Sequence, residues 1–583
     1  MKASDYIVSF LASHNIKYVF GYQGGMITHL VDSISKNKDV KFIQCYHEQT
    51  SAIAAEGYAR TSGTFGVAIS TSGPGATNMV TGIANAYFDS IPVVYISGQV
   101  NSYEYKYQKK IRQMGFQETD IVSIVKPITK YAVIIDEPQN IKYELEKAVH
   151  IATTGRKGPV LLDIPMNIQR AEIDVAVIPS FNDIYSAPKL ETSTIHKAIS
   201  ILQKAKRPLV LCGGGILTSN AVAEVNDFLI KTNLPHAVSL MGKGSVDETK
   251  DNFIGMIGSY GNRCANIILS NADVVLVLGS RLDLRQTGNK NMEYLKTKFF
   301  IHVDIDVNEL KESRIENELA IHADISDFIK AVKTNDNAYF FDKRDWLCYI
   351  LNIKEKYSQK KDIARFTKNK EPYIALEKIM ATADENTIFT VDIGQNQMWS
   401  AQVLQMKSGQ HFLTSGGLAP MGYALHVAIG ASFASPKKNV VCIIGDGGFH
   451  LALQALLLIS QYNLKISVFV LNNNALGMIT QFQSLYFNSN MAGTTKEGGY
   501  EVPNIKYIAK SCRLDYFHIN DVLNQALPDT QTGKIIEIIL NGLTNVVPKL
   551  EFDKPLYNMV PYLSEDEISD TILPPTDLSK DTI

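Results

Sequence analysis

Several features that would decide the class of a protein are missing from this sequence of 583 residues. The six cysteines are scattered and form no CxxC pair, so neither a structural zinc site nor a disulfide framework is indicated. The chain has 57 basic and 59 acidic residues, a formal charge of −2, and no basic block. A nucleic acid or an anionic membrane is therefore not expected as a partner.

Long apolar runs and targeting signals are absent as well. No stretch of about 18 apolar residues is available to cross a membrane. Residues 1–21 predict an amphipathic helix that runs into a strand, without the apolar centre and small-residue cleavage site of a signal peptide. We therefore expect a cytoplasmic protein. Its composition, with 45% hydrophobic and 20% charged residues, is ordinary for a globular chain.

Short apolar segments alternate with helical patterns along three parts of the chain, and the length suits three or four domains of about 150 residues. Such alternation is typical of parallel sheets covered by helices. A segment rich in Ser, Pro and Asn and a charged segment separate the three series. We predict an α/β protein with three tandem, doubly wound parallel-sheet domains, at residues 1–180, 190–335 and 371–550, followed by a C-terminal tail at 551–583.

Polar loops follow two apolar segments of the third series. The segment "VVCIIGDGG" leads to Asp446, and "ISVFVLNNN" leads to the asparagines at 472–474. In a right-handed β-α-β unit both strands end at the same edge of the sheet, so these side chains are expected to meet there. The glycines around Asp446 permit a tight turn and a close approach of a ligand. A helix predicted to start near Phe449 directs free N–H groups to the same place.

An acid, an amide oxygen and a backbone carbonyl form an incomplete set of oxygen ligands, which suits Mg²⁺ completed by phosphate oxygens and water. The residues therefore predict a diphosphate bridged by a metal ion. Taken alone, Gly-Asp-Gly is more often a simple turn, and the asparagines a second one. The strand positions and the spacing of the two loops agree with each other, and this agreement favours the functional interpretation.

Asn473 stands 27 positions after Asp446, and this GDG…NN arrangement resembles the cofactor motif of thiamine diphosphate enzymes. The resemblance implies that Asp446, Asn473 and the backbone of Ala475 are the ligands of Mg²⁺. It also implies a carboxylic acid that hydrogen-bonds the aminopyrimidine ring of the cofactor, and "HEQTSAIAAEGYAR" places Glu48 in that role. Without the resemblance, a glutamate at a helix start is more often a partner of the helix dipole.

Further segments, in the same order along nearly the whole chain, resemble one branch of that family, the catalytic subunits of acetolactate synthases (acetohydroxyacid synthases). They include FGYQGG at 20–25, FQETDIV at 116–122, GSRLDLRQTG at 279–288, DIGQNQMWSAQ at 392–402 and TSGGLAPMGYAL at 414–425. The resemblance implies pyrimidine-binding, central and diphosphate-binding domains. It also implies a homodimer or homotetramer with active sites between subunits, and a possible regulatory small subunit.

The same motifs imply roles for single residues. Met421 would bend the cofactor, Gln117 with Phe116 would line the reaction site, and Arg285 would pair with the acceptor carboxylate. An isolated arginine is otherwise more often a surface ion-pair partner. The other residues implied to bind thiamine diphosphate are Gly394, Gln395, Asn396, Gly417, Gly445, Gly447, Gly448, Gly477 and Met478. Those implied to hold FAD, a structural group in this branch, are Gly214, Gly215, Arg281, Asp304 and Asp324, although a GGG segment alone also fits a tight turn or another adenine nucleotide.

The function implied is decarboxylation of pyruvate and transfer of the two-carbon unit to a second 2-keto acid, either pyruvate or 2-ketobutyrate. Several positions depart from the usual synthase motifs and cluster where the acceptor and the flavin would bind: Gln23, Met26, Ser259, Tyr260, Leu284, Asn396 and Phe482. The same transfer to a keto sugar or an aldehyde is therefore an open alternative, as is a simple 2-keto acid decarboxylase. A non-catalytic nucleotide-binding paralogue is disfavoured, because Glu48, Asp446 and Asn473 are intact.

Overall fold

The computed structural model of the chain describes residues 1–288, 293–334, 343–528 and 533–576. It contains three six-stranded sheets, and neighbouring strands in each sheet run parallel. Because helices cover both faces, most central strands are buried along their whole length, which explains the continuous apolar runs in the sequence. The α/β prediction with three parallel-sheet domains is confirmed.

The first sheet has the strand order β2-β1-β3-β4-β6-β5. Its strands are β1 (Tyr18–Gly21), β2 (Lys41–Gln44), β3 (Gly66–Ser70), β4 (Val93–Gln99), β5 (Tyr131–Ile134) and β6 (Val160–Pro165). The helices of this part are α1 (Ala3–Ser13), α2 (Thr28–Lys36), α3 (Glu48–Ser62), α4 (Pro74–Asn78), α5 (Val80–Phe88), α6 (Ile121–Val125), α7 (Ile141–Thr153) and α8 (Met166–Gln169).

The second sheet has the order β12-β11-β10-β7-β8-β9. Its strands are β7 (Pro208–Cys212), β8 (His236–Val238), β9 (Phe253–Met256), β10 (Val274–Leu278), β11 (Phe299–Asp304) and β12 (Glu318–His322). The helices are α9 (Thr192–Lys204), α10 (Gly215–Thr218), α11 (Val222–Thr232), α12 (Arg263–Asn271), α13 (Leu284–Thr287), α14 (Glu293–Lys296), α15 (Val307–Lys311) and α16 (Ile325–Lys333), and the charged segment that follows forms α17 (Arg344–Lys356) and α18 (Gln359–Phe366).

The third sheet has the order β14-β13-β15-β16-β18-β17. Its strands are β13 (Ile388–Val391), β14 (His411–Leu413), β15 (Val440–Gly445), β16 (Ile466–Asn472), β17 (Asp515–Ile519) and β18 (Lys534–Ile539). The helices are α19 (Glu371–Ala381), α20 (Gln395–Val403), α21 (Tyr423–Ala434), α22 (Asp446–Leu451), α23 (Leu456–Gln461), α24 (Gly477–Tyr486) and α25 (Ile505–Ser511).

The C-terminal segment packs against the central part of the chain. Leu550, Leu556 and Leu563 belong to the apolar cluster that covers one face of the second sheet, and α26 (Glu565–Thr571) follows. Residues 577–583 of the predicted tail lie outside the described residues. Across the described ranges, none of the helices has the length and apolar composition needed to traverse a bilayer.

Helices α3 and α21 join the first and third parts of the chain at a very close crossing. A Cβ on Gly57 would clash with the carbonyl oxygen of Val427, and a Cβ on Gly430 would clash with that of Ala54. These two pairings show that the helices run antiparallel. Glu48 starts α3 and Met421 just precedes α21, so the two residues lie at opposite ends of the pair. At 1.5 Å per residue, the 15-residue helix α3 separates its ends by roughly 20 Å.

We expect the His426→Leu variant to melt at a higher temperature than the parent protein, with a larger increase at pH 5 than at pH 8. His426 is buried in α21, and neither of its ring nitrogens has a hydrogen-bond partner. Burial lowers its pKa to about 3. Because the unfolded chain takes up a proton below about pH 6.5 that the folded chain cannot take up, stability is lost as the pH falls, by roughly 2 kcal/mol at pH 5.

Thermal unfolding of both proteins at the two pH values checks this prediction. Leucine removes the unpaired polar ring and fills a similar volume, so the increase at pH 8 reports the buried polar group alone. The exposed His196 gives the matched control, and His196→Leu should leave the melting temperature nearly unchanged at either pH. An equal shift for His426→Leu at both pH values would contradict the prediction.

Candidate active site

The loops after β15 and β16 meet at the carboxyl edge of the third sheet. Gly445 and Leu471 are paired in the parallel register, so Asp446 and the asparagine loop leave the sheet side by side. The carboxylate of Asp446 is buried, and burial raises its pKa to about 6, while the backbone N–H groups of Gly447, Ala475 and Asn474 act in the opposite direction. The structure thus brings the Gly-Asp-Gly turn and the asparagine loop to one carboxylate.

The local structure differs in one detail from the sequence expectation. Helix α22 begins at Asp446 itself, not near Phe449, so the acid lies in the first turn of the helix. The glycines of the turn have negative or extended backbone angles, so close packing explains them better than left-handed geometry. A Cβ on Gly448 would clash with the carboxylate of Asp392, and one on Gly447 would lie 2.7 Å from Leu476 Cδ2 and 2.9 Å from Met421 Cε.

Buried oxygen atoms without a partner surround this turn. Among the described residues, Asp446 Oδ2, Gln395 Oε1 and Asn396 Oδ1 are buried and accept no hydrogen bond. The amide of Gln395 is held by bonds from its Nε2 to Gln481 Oε1 and to the carbonyl of Thr544, each of 3.0 Å. Such atoms are costly unless a ligand pairs with them. A hydrated divalent cation with its phosphate oxygens fits this set of acceptors.

The asparagine loop supplies the opposite wall of this site. Asn473 Oδ1 accepts a 3.2 Å hydrogen bond from the N–H of Ala475, and its Nδ2 lies against Gly477 at the start of α24. Asn472 has a structural contact instead, since its Nδ2 donates to Glu537 Oε1 over 2.6 Å. The Asn472 side chain is thus tied to β18, whereas the Asn473 side chain stays within the loop beside the start of α24.

Asp392, which has no role in the sequence prediction, positions the loop that carries Met421. Its two carboxylate oxygens accept hydrogen bonds from the backbone N–H groups of Gly422 at 3.1 Å and Ala424 at 3.0 Å. Burial raises its pKa to about 7. Gly422 adopts a left-handed conformation with φ of 86°, and the two bonds fix the turn from Met421 into α21. Met421 itself reaches the Gly-Asp-Gly turn.

Residues of the first part of the chain hold the same loop from its other side. The carboxylate of Asp89 accepts hydrogen bonds from the N–H groups of Gly416 and Gly417, the latter over 2.8 Å. Ser415 Oγ donates to Asn85 Oδ1 over 2.6 Å. The sequence analysis missed Asp89 and Asn85, which lie more than 300 positions away from their partners in the sequence.

Glu48 is buried at the start of α3, in the first part of the chain. Asn78 Nδ2 donates a 2.9 Å hydrogen bond to Glu48 Oε2, and Gly75 lies against the other carboxylate oxygen. Gly75 belongs to a Gly-Pro-Gly segment at 73–75. Gln117, with a positive φ of 62°, packs against Gly73 of this segment. In the part of the chain that the structure describes, no hydrogen bond or ion pair joins Glu48 to Asp446 or Asn473.

A carboxylate that the sequence analysis did not single out organises the loop before Gln117. Glu118 is buried and accepts hydrogen bonds from the backbone N–H groups of Lys106, Met114 and Gly115, at 3.0, 2.6 and 3.1 Å. The loop holds Phe116 with 80% of its surface exposed. Glu118 therefore fixes the position from which Phe116 and Gln117 are presented.

A cavity of about 680 Å³ lies beside the second sheet, and the five residues predicted to hold FAD line it: Gly214, Gly215, Arg281, Asp304 and Asp324. Close packing keeps its floor free of side chains, because a Cβ on Gly215 would lie 2.7 Å from the Cα of Gly279. Residues of all three parts of the chain, among them Arg60, Met241 and Gly416, contribute to the wall. The volume and the apolar and polar lining suit a dinucleotide-sized ligand.

Arg285 lines the same cavity. The residues beside it contact the third part of the chain, which carries Asp446 and the asparagine loop. Its carbonyl accepts a 2.7 Å hydrogen bond from the N–H of Ser259. The adjacent Tyr260 reaches the third part of the chain, where its hydroxyl lies 3.6 Å from Met478 Sδ. Leu284, beside Arg285, has half of its surface exposed.

Comparison with known families places a chain with these three parallel sheets in the class of thiamine pyrophosphate enzymes. Family models of these enzymes match the chain in order: the N-terminal TPP binding domain at residues 1–124, the central domain at 195–332 and the C-terminal TPP binding domain at 392–537. Each match covers most strands of one of the three sheets described above.

Known proteins that are similar to this chain over most of their length indicate one branch of this class. The chain is 34% identical to the acetolactate synthase isozyme 1 large subunit of Escherichia coli K12, over 96% of this chain and 95% of that protein. It is 37% identical to a probable acetolactate synthase large subunit of Methanocaldococcus jannaschii, over 84% and 83%, and 32% identical to the large subunit of Lactococcus lactis, over 94% of both. The chain belongs to the thiamine pyrophosphate enzyme family, among the acetolactate synthase large subunits.

Proposed function

We propose that this chain is a thiamine diphosphate- and Mg²⁺-dependent carboligase, which decarboxylates pyruvate and transfers the two-carbon unit to a second 2-keto acid. The observation that carries the proposal is the buried carboxylate of Asp446, which has an unpaired oxygen where two loops of one parallel sheet meet. The similarity to acetolactate synthase large subunits over nearly the whole chain supports it.

The clamp residues would hold the metal and the diphosphate. Asp446, the side chain of Asn473 and the backbone of Ala475 are the proposed metal ligands, since each of the three can supply an oxygen atom at the same carboxyl edge. When bound, thiamine diphosphate supplies a carbon nucleophile that adds to the ketone of pyruvate and accepts the electrons released with CO₂. Met421, fixed by Asp392, would support the cofactor from the side of the Gly-Asp-Gly turn.

Glu48 would hold a proton at a nitrogen of the pyrimidine ring. The antiparallel crossing of α3 and α21 places Glu48 and Met421 at opposite ends of the helix pair. We therefore infer that Glu48 serves the cofactor bound to another chain, and that the enzyme is a homodimer or a homotetramer with sites between subunits. Gln117 and Phe116 would reach the same site, because Gln117 packs on the segment that contacts Glu48.

Arg285 would orient the carboxylate of the acceptor, for which a guanidinium group is well suited. Its exposure in the cavity wall leaves the group available. A specific observation favours a second candidate, the same two-carbon transfer to a keto sugar or an aldehyde. The neighbouring Leu284 and the more distant Phe482 are apolar and 50% and 41% exposed, so they present surfaces that could contact a larger acceptor.

The remaining assignments follow from the resemblance and the cavity. We propose that the 680 Å³ cavity holds FAD through Gly214, Gly215, Arg281, Asp304 and Asp324. The relatives are named large subunits, so we infer that a regulatory small subunit is a partner. The domain limits at 1–180, 190–335 and 371–550, the tail at 551–583 and the cytoplasmic location stay predictions.

An assay of the purified protein with Mg²⁺, thiamine diphosphate and pyruvate tests the function. We expect release of CO₂ and a product that gives acetoin after acidification, with the absorption bands of a flavin in the visible spectrum. Release of CO₂ with free acetaldehyde and no acetoin would instead identify a decarboxylase. A screen of 2-keto acids, aldehydes and keto sugars, with kcat/KM for each, ranks the acceptors, and an advantage of a sugar over every keto acid would replace the first candidate with the second.

A further inference from the structure

Tyr500 contacts the carboxylate at the centre of the clamp. Its hydroxyl donates a 2.9 Å hydrogen bond to Asp446 Oδ1, and it also lies against Gly447 of the turn. The other carboxylate oxygen, Oδ2, is buried and has no hydrogen-bond partner. One side chain therefore occupies one oxygen of the acid and leaves the other oxygen for a ligand.

The backbone around Tyr500 ties it to the second loop of the clamp. Ala475 and Thr495 form an antiparallel bridge, and the N–H of Leu476 donates a 3.0 Å hydrogen bond to the carbonyl of Thr494. The N–H of Tyr500 in turn donates to the carbonyl of Thr495 over 2.8 Å. The asparagine loop, the segment at 494–500 and Asp446 thus form one connected unit.

We propose that Tyr500 is a positioning residue for the metal ligand: its hydroxyl fixes the rotation of the Asp446 carboxylate so that Oδ2 faces the ion. This inference rests on the proposed diphosphate clamp. A carboxylate that is held in one orientation before the ion arrives loses less conformational freedom on binding. A hydrogen bond to a charged group is among the stronger ones in proteins, so its loss should be measurable.

The Tyr500→Phe variant tests the role, because it removes only the hydroxyl. Titration calorimetry with Mg²⁺ in the presence of thiamine diphosphate should show about tenfold weaker Mg²⁺ binding by the variant. In the pyruvate assay, the Mg²⁺ concentration for half-maximal rate should rise by a similar factor, while kcat at saturating Mg²⁺ should change little. Tyr507→Phe is the matched control, because Tyr507 is 70% exposed on α25, and it should bind Mg²⁺ like the parent protein.

Three further measurements separate a positioning role from a general loss of structure. Without cofactors Tyr500→Phe should stay folded, with its melting temperature lowered only by the loss of one hydrogen bond, and its affinity for FAD should match that of the parent protein. Tyr500→Leu, which also lacks the hydroxyl, should weaken Mg²⁺ binding at least as much. Unchanged or tighter Mg²⁺ binding by folded Tyr500→Phe would overturn the proposal, whereas failure of the parent protein to bind thiamine diphosphate at all would overturn the proposed function itself.

Discussion

Exchanging Asp446 for asparagine is expected to weaken the binding of Mg²⁺ and thiamine diphosphate by at least about 100-fold, because it removes a negative charge from direct contact with a divalent cation in a partly dry site. Asparagine has the same size and can still accept the hydrogen bond from Tyr500. Titration calorimetry of the two proteins measures the loss. The pyruvate assay should lose activity in parallel when Mg²⁺ is limiting.

The same substitution should affect the cofactor-free protein in the opposite direction. A buried carboxylate with an unpaired oxygen costs stability, so Asp446→Asn without cofactors should melt at the same temperature as the parent protein or a higher one. The exposed Asp183 provides the control, and Asp183→Asn should change neither measurement. If Asp446→Asn bound the cofactor as tightly as the parent protein, the metal site would have to lie elsewhere.

Replacing Glu48 by glutamine is expected to lower kcat about 1,000-fold while leaving cofactor affinity within about tenfold of the parent value, since proton transfer by a positioned group contributes about 10²- to 10⁴-fold to catalysis. The amide keeps an oxygen that can accept the hydrogen bond from Asn78. Steady-state kinetics with pyruvate, together with calorimetry, separate the two effects. Glu316→Gln alters an exposed glutamate and should retain full activity. Wild-type turnover by Glu48→Gln would refute the assigned role.

Mixing the two variants, at a Mg²⁺ concentration too low for Asp446→Asn to be active, tests whether the sites lie between chains. In a dimer of that kind, a hybrid of Glu48→Gln and Asp446→Asn chains has one site with both native residues and one with neither. Random exchange of subunits should therefore restore about one quarter of the parent activity. If Glu48 and Asp446 served a site within one chain, every site in the mixture would lack one of them, and no activity would return.

The three parallel sheets could be predicted from the sequence because their buried strands correspond to short apolar segments bounded by turn residues. β15 ends at Gly445, directly before Asp446, in agreement with the predicted position of the acid after an apolar strand. The start of α22 was misplaced by three residues, because Gly447 and Gly448 usually indicate a turn. Here Gly448 is required because any side chain at this position would clash with Asp392. Asp392 is distant in sequence, so no local sequence pattern indicates this contact.

The residues of the candidate site likewise fall into two groups: those that could be predicted from the sequence and those that could not. Asp446 and Asn473 could be predicted because they follow two successive strands at a fixed spacing, and Glu48 because its segment resembles a family motif. Tyr500, Asp392 and Asp89 could not, since each acts through a hydrogen bond to a partner far away along the chain. A single tyrosine or aspartate of this kind has no motif, and its role emerges only when the partner is near in space.

The glycine contacts between α3 and α21 have a consequence for the assembled enzyme. At Gly57 and Gly430 the two helix backbones pack directly against each other, so we expect the pair to move as one rigid unit about as long as α3. In the proposed dimer, Glu48 at one end of the helix pair would serve the cofactor of the neighbouring chain. Met421 at the other end would contact the cofactor of its own chain. A movement of the helix pair on substrate binding at one end would then shift the residue at the other end. We therefore expect the two active sites of the dimer to be coupled rather than independent.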